Sequence, residues 1–164
     1  MSPIIISIQY DEIKWQEAFS VSFFERITDC IVSIVSASFQ HNKEYEVSVV
    51  LTNDAVIRSL NQEYRHKDKA TNVLSFPQKM SCNVPIPYLL GDIVLAYETI
   101  VAEAIQENKT LCAHVTHLFI HGFLHLLGYD HNTDHATHLM QTLEVQILYQ
   151  LGIQTPYPDT INES

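Results

Sequence analysis

Two stretches rich in β-branched residues, Ile4–Gln9 (IIISIQ) and Tyr45–Leu51 (YEVSVVL), predict strands. Between them Trp15, Phe19, Phe23, Ile27, Ile31, Ile34 and Val35 recur at three- and four-residue steps. That period predicts helix from Ile13 to about Phe39, as one element or as two. Thr52 or Asn53 then caps a helix reaching about Tyr64, with Val56, Ile57 and Leu60 turned inward. Arg65–Thr71 (RHKDKAT) is too charged for a core. Asn72–Phe76 is a short extended run stopped by Pro77, since residues before proline avoid helix. Gln78–Pro87 reads as a loop, and Gly91-Asp92 as a turn into a strand over Ile93–Ala96, followed by a helix to about Asn108. Thr110 caps the next helix, Leu111–Leu127, which Gly128 ends in a left-handed conformation. A last helix spans Asp134 to Leu151, with Leu139, Leu143, Ile147 and Leu151 at a four-residue step.

Neither an internal repeat nor a shift in composition divides the chain. The expectation is one α/β (α+β) domain over residues 1–154, a small mixed sheet of about four strands covered by about five helices. A loose, Pro-interrupted tail is expected over 155–164.

Composition removes several classes. With 164 residues and 46% hydrophobic content the chain can bury a core, which excludes disorder. No apolar run approaches the roughly 18 residues of a membrane span, and the start lacks the basic region and cleavage site of a signal peptide. The expectation is a cytoplasmic protein with no membrane partner. Cys30, Cys82 and Cys112 are too scattered for a disulfide framework or a Cys-x-x-Cys zinc site, and read as buried thiols. A formal charge of −10 argues against broad nucleic-acid binding, so any such partner needs a local basic patch. Arg58, Arg65, Lys67, Lys69 and Lys79 supply one, with His66 among them.

The strongest signal is histidine. Seven of the nine histidines fall between His114 and His138. His121 and His125 are four apart on one helix and therefore share a face, where two imidazoles can converge on one ion. Gly128 folds the chain back, so that His131 can supply a third nitrogen. Three protein ligands leave the fourth position of a tetrahedral ion open, the arrangement of catalytic zinc. Side-by-side unpaired imidazoles on so apolar a helix would otherwise be costly. The spacing is shared with the metzincin proteases, H-E-x-x-H-x-x-G-x-x-H, but Gly122 stands where their general base is Glu. Peptide hydrolysis is therefore a minor reading. His117, one turn before His121, is open to a ligand-orienting role or to core packing. Asp92 and Asp130 are candidate carboxylate partners for the imidazoles. His135 and His138 read as surface residues.

His121-Gly-Phe-Leu-His125-Leu-Leu-Gly128-Tyr-Asp-His131 resembles the signature of the YbeY family of bacterial endoribonucleases, which act in ribosomal RNA maturation. Leu60-Asn-Gln-Glu-Tyr-Arg65, with Asp68, Thr71 and Val73-Leu-Ser-Phe-Pro77, is similar to a second block of that family, and Leu90-Gly-Asp92-Ile to a third. Met140 and Glu144 fit its final helix. The resemblance covers about residues 45–150. It departs at Asn72, where the family usually has Asp, and at Ala70, where Pro is common. Asn keeps the shape and an acceptor oxygen but removes a charge, so Asn72 is given no catalytic role.

The resemblance implies a metal-dependent endoribonuclease acting on single-stranded RNA, in maturation of the 16S 3′ end and in ribosome quality control. It also implies ribosomal RNA and the small ribosomal subunit as partners. One Zn²⁺ per chain would be held by His121, His125 and His131. Arg65 would be the family's other functional residue, offering fixed bidentate stabilisation to charge growing on phosphoryl oxygens. Two alternatives from other classes stand beside this. One is a ribosome-assembly or RNA-binding factor with a structural metal; the other is a metal-dependent hydrolase of a small ester or amide. A fourth protein ligand such as His135 would favour the structural reading.

Overall fold

The β-branched segments do form strands, and the sheet they build carries the histidine helix against one face. The computed structural model describes residues 3–40, 42–78, 88–154 and 157. Its strands are β1 (Ile4–Tyr10), β2 (Tyr45–Thr52), β3 (Val73–Pro77) and β4 (Tyr88–Ala96), in the spatial order β1-β2-β4-β3. β1 and β4 both pair with β2 in parallel, whereas β3 pairs with β4 antiparallel and forms an edge. The sheet is thus mixed, as expected of the α+β class.

The helices are α1 (Ile13–Ala18), α2 (Val21–Ile34), α3 (Asp54–Arg65), α4 (Tyr97–Gln106), α5 (Leu111–Leu126) and α6 (Asp134–Gln150). The first long apolar segment is two helices because Phe19 and Ser20 are extended. Ser20 then caps α2 by accepting from the Phe23 amide, and Ser36–Ser38 continues as a 3₁₀ turn. Asn53, Thr110 and Thr133 cap α3, α5 and α6 in the same way.

Each face of the sheet buries its own cluster. Val47, Val49, Leu51, Ile93 and Leu95 meet Trp15, Phe24, Ile31 and the apolar side of α5. On the opposite face Leu74, Val94 and Ala96 pack with Ile57 of α3. Phe24 and Phe119, with ring centroids 5.1 Å apart, join α2 to α5, and truncating either ring to Ala would cost about 3–5 kcal/mol. Trp15 is fully buried and donates its indole N–H to the Thr52 carbonyl at 2.8 Å.

Some expectations shift. Val56 is exposed rather than inward, because α3 covers only part of its sheet face, and Leu139 is exposed because α6 buries Met140, Glu144, Ile147 and Leu148 instead. The fourth strand begins at Tyr88, so Gly91 lies inside it rather than in a turn. Its φ of +146° and the approach of the Phe76 carbonyl leave no room for a Cβ. Cys112 is exposed and Cys30 half-buried; Cys82 lies outside the described residues. The predicted loop beyond Gln78 and the predicted tail, Tyr157 apart, also lie outside them. Among the described residues no helix is long and apolar enough to cross a membrane.

Candidate metal centre

α5 is 16 residues long and buries ten of them, and its histidines, three or four residues apart, share one strip. His121 and His125 lie on that strip with ring centroids 4.7 Å apart. The helix ends in a Schellman motif: the Tyr129 amide donates to the Leu124 carbonyl at 3.1 Å, and the Gly128 amide to that of His125 at 3.0 Å. Gly128 has a φ of +100°, which turns the chain back. That turn brings the His131 ring within 5.2 Å of His125 and stacks it at 6.1 Å from His121. One ligand atom from each of the three histidines lies within 4.8 Å of the others. No fourth His, Cys, Asp or Glu joins them among the described residues, and His135 is exposed on α6.

The protons on these rings are held from behind. Glu144 of α6 is fully buried, and its Oε1 is 2.9 Å from His121 Nδ1. A carboxylate there accepts the Nδ1 proton and leaves Nε2 as a lone pair. Burial alone would raise the Glu144 pKa, but hydrogen bonds from His117 and His121 and their charge hold it down to about 2. Burial, with His121 and His131 behind it, pushes the His125 imidazole down to about 4, while a bond to the Tyr129 backbone opposes this. The Nε2 atoms of His121 and His125 face each other at 3.1 Å.

With its proton on Nδ1 toward Glu144, His121 turns the Nε2 lone pair toward the His125 ring. Two nitrogens bound at 2.0–2.1 Å around a tetrahedral ion would be about 3.3 Å apart, close to what is found. An all-imidazole donor set suits zinc and related transition metals rather than calcium or magnesium. The residues present therefore fit a metal ion.

The trio opens into a cavity of about 230 Å³ that Arg65, Asn72, Ser75, His117 and Tyr157 also line. Arg65 is the last residue of α3, exposed, with no acidic partner among the described residues. Arg58, by contrast, is held by both carboxylate oxygens of Asp68, at 2.8 and 3.2 Å. Lys67 and Lys69 are exposed beside Arg65; Lys79 lies outside the described residues.

The profile described as Endoribonuclease YbeY matches residues 9–152. The chain belongs to the YbeY family. The Endoribonuclease YbeY of Rhizobium leguminosarum bv. trifolii is 44% identical over 163 residues, covering 96% of this chain and 95% of the relative. That of Nitrobacter winogradskyi is 52% identical over 116 residues, covering 68% and 61%. A solution structure from Thermotoga maritima is similar at a TM-score of 0.58, with 25% identity over 90% of this chain and 92% of that one.

Against this YbeY-family frame, the structure brings together His121, His125, His131 and Arg65. His117 is 3.4 Å from Glu144 Oε1 and 3.2 Å from the Tyr157 hydroxyl, which itself donates to Glu144 Oε2 at 3.3 Å. His135 and His138 are exposed, as expected. Asp92 and Asp130 are not the imidazole partners. Asp130 accepts from the Asn132 amide instead, and Glu144 takes the role. Glu144 had a signal of its own: a carboxylate standing in the apolar stripe of Met140, Ile147 and Leu148 demands a buried partner. Tyr157 had none, because a lone Tyr in a polar tail has no period.

Proposed function

We propose that the chain is a metal-dependent endoribonuclease acting on single-stranded ribosomal RNA. Its work is maturation of the 16S 3′ end and ribosome quality control, in the cytoplasm and with the small ribosomal subunit as partner. Residues 1–154 act as one catalytic domain. His121, His125 and His131 hold one Zn²⁺, and Arg65 stabilises the scissile phosphate. The observation that supports this reading is the approach of the His121 and His125 Nε2 atoms to 3.1 Å, with the Glu144 carboxylate 2.9 Å from His121 Nδ1.

The chain's own groups divide the work. The low pKa of His125 keeps that ring neutral and able to ligate. Glu144 fixes the orientation of His121. Arg65, exposed at the mouth of the cavity, offers parallel N–H donors to phosphoryl oxygens as negative charge grows on them. The bound ion would supply Lewis-acid polarisation of the same group. Among the described residues no carboxylate lines the cavity. A peptide carbonyl attacked by water needs a base of that kind, whereas RNA carries its own 2′-hydroxyl nucleophile.

The test is an assay of metal-loaded protein on single-stranded RNA and on unstructured peptides. RNA should be cut and peptides spared. Metal-dependent peptide cleavage with intact RNA would overturn the reading.

A further inference from the structure

Beyond the histidine trio and Arg65, one exposed aromatic adjoins Arg65 at the end of α3. Tyr64 is 60% exposed, and among the exposed large apolar side chains it alone directly precedes a residue lining the cavity, Arg65. Its ring lies 5.2 Å from that of Phe76, inclined at 62°. Phe76 in turn follows Ser75, another lining residue. Along edge strand β3, Val73 and Ser75 face α5 and the histidines, while Leu74 and Phe76 face α3. Arg65 lines the cavity from the end of α3, so it spans the outer edge of β3. The Tyr64–Phe76 pair lies on the α3 side of that edge, and the histidine trio on the other.

We infer that Tyr64, braced edge-on by Phe76, is a stacking platform for an unpaired nucleobase close to the scissile phosphate. The inference rests on the endoribonuclease reading and adds a base subsite to it. A single strand crossing the β3 edge presents a phosphate to Arg65 and a neighbouring base to the Tyr64 ring. Phe76 holds that ring in place, so little freedom is lost when a base lands on it. Exposed Lys67 and Lys69 follow in the same segment and carry the positive charge a sugar-phosphate backbone requires. Stacking on an aromatic face tolerates any base and needs the strand unpaired, which suits a single-stranded substrate. The other strongly exposed apolar residues, Ile13, Ile105 and Tyr149, line no part of this cavity, and none of them directly precedes a residue that does.

The test uses the zinc-loaded full chain and a set of single-stranded RNAs in which one base at a time is removed on either side of the cut. For the wild-type protein, KM should rise at one abasic position. Tyr64→Ala and Tyr64→Leu should raise KM on intact RNA by roughly 5- to 150-fold, the range of one base–aromatic stack, with zinc content unchanged. Both should also flatten the abasic profile. Tyr64→Phe and Tyr64→Trp should keep the affinity and the profile, because they keep the π-face. If Tyr64→Leu binds as tightly as Tyr64→Phe, or if the wild-type protein cuts every abasic RNA equally well, there is no platform although the nuclease reading survives. A wild-type protein that neither binds nor cuts RNA overturns both.

Discussion

Asn72 donates its side-chain amide to both carboxylate oxygens of Glu103, at 2.9 and 3.2 Å, while its own Oδ1 accepts from the Val73 amide. The same Glu103 carboxylate is 2.9 Å from Nε2 of the buried His114. Glu103 thus ties the start of β3 to α4 and α5, and an amide at position 72 is the form that can donate to it. An Asp, usual at this position in the family that the sequence resembles, could only accept. The departure at Asn72 is matched by the acid it faces.

Asn72→Asp should therefore destabilise this chain at neutral pH. The change swaps a charge-assisted hydrogen bond for two carboxylates in contact, a loss of about 1–2 kcal/mol given that Glu103 is partly exposed. Adding Glu103→Gln should recover most of the loss, since its amide can donate to Asp. Thermal melts of the two single variants and the double variant form the cycle. Additive effects would show that the pair is not coupled.

Much of this was legible because the responsible signals are local. Capping residues Asn53, Thr110 and Thr133 mark helix starts wherever they occur, and the spacing of His121, His125, Gly128 and His131 encodes a turn and a ligand set within eleven residues. What escaped depends on distance along the chain. Glu103 meets Asn72 from 31 positions away, and Glu144 meets His121 from 23, and neither pairing leaves a periodicity. Val56 falls on the predicted inward side of α3, but its fate depends on how much sheet the neighbouring strands offer. Gly91 punctuates the sequence like a turn, yet its conformation serves close contact between β3 and β4.

Gly122 explains why the protease-like spacing lacks its acid. A Cβ there would lie 3.0 Å from Ser75 Oγ and 3.1 Å from Ile93 Cγ2, so this position is packed tightly against the sheet. The Ser75 hydroxyl donates to the Gly122 carbonyl at 3.1 Å, which fixes α5 against β3 at that separation. Gly122→Ala should cost about 1–2 kcal/mol despite the better helix propensity of Ala, because Ile93 is stiff and buried. Ser75→Ala should relieve part of that. Gly122→Glu should fail to fold rather than gain peptidase activity, since its carboxylate would enter the core. Denaturant unfolding measures the first pair, and a folded, peptide-cutting Gly122→Glu would refute this account of the position.

Glu144 would act on a bound metal through His121 Nδ1. Glu144→Gln keeps the shape and an acceptor oxygen but gives up the charge that makes the imidazole a better donor. Zinc affinity should fall by roughly 10- to 100-fold, the usual effect of altering such a partner, while the fold persists. Competition with a chelator of known affinity reads this directly. Wild-type affinity in Glu144→Gln would mean that the carboxylate serves packing alone.

His125 and Arg65 line one cavity but should fail in different ways. At a free zinc concentration 100 times Kd, binding should stabilise the fold by about 2.7 kcal/mol, and chelation should lower Tm accordingly. His125→Ala removes one of the two Nε2 atoms that face each other at 3.1 Å, so its Tm should become nearly indifferent to chelator. Arg65 is exposed at the end of α3 and belongs to neither the ligand set nor the core. Arg65→Ala should therefore keep full zinc content and the same chelator-dependent Tm shift, yet cut RNA at least about 10²-fold more slowly, the scale for losing one oriented donor to a developing anion. Arg65→Lys should recover little, because a single ammonium cannot reproduce two parallel N–H donors. The pair of measurements separates the roles. Loss of zinc together with activity in Arg65→Ala would make the residue part of the scaffold, and unchanged cleavage would remove it from the reaction.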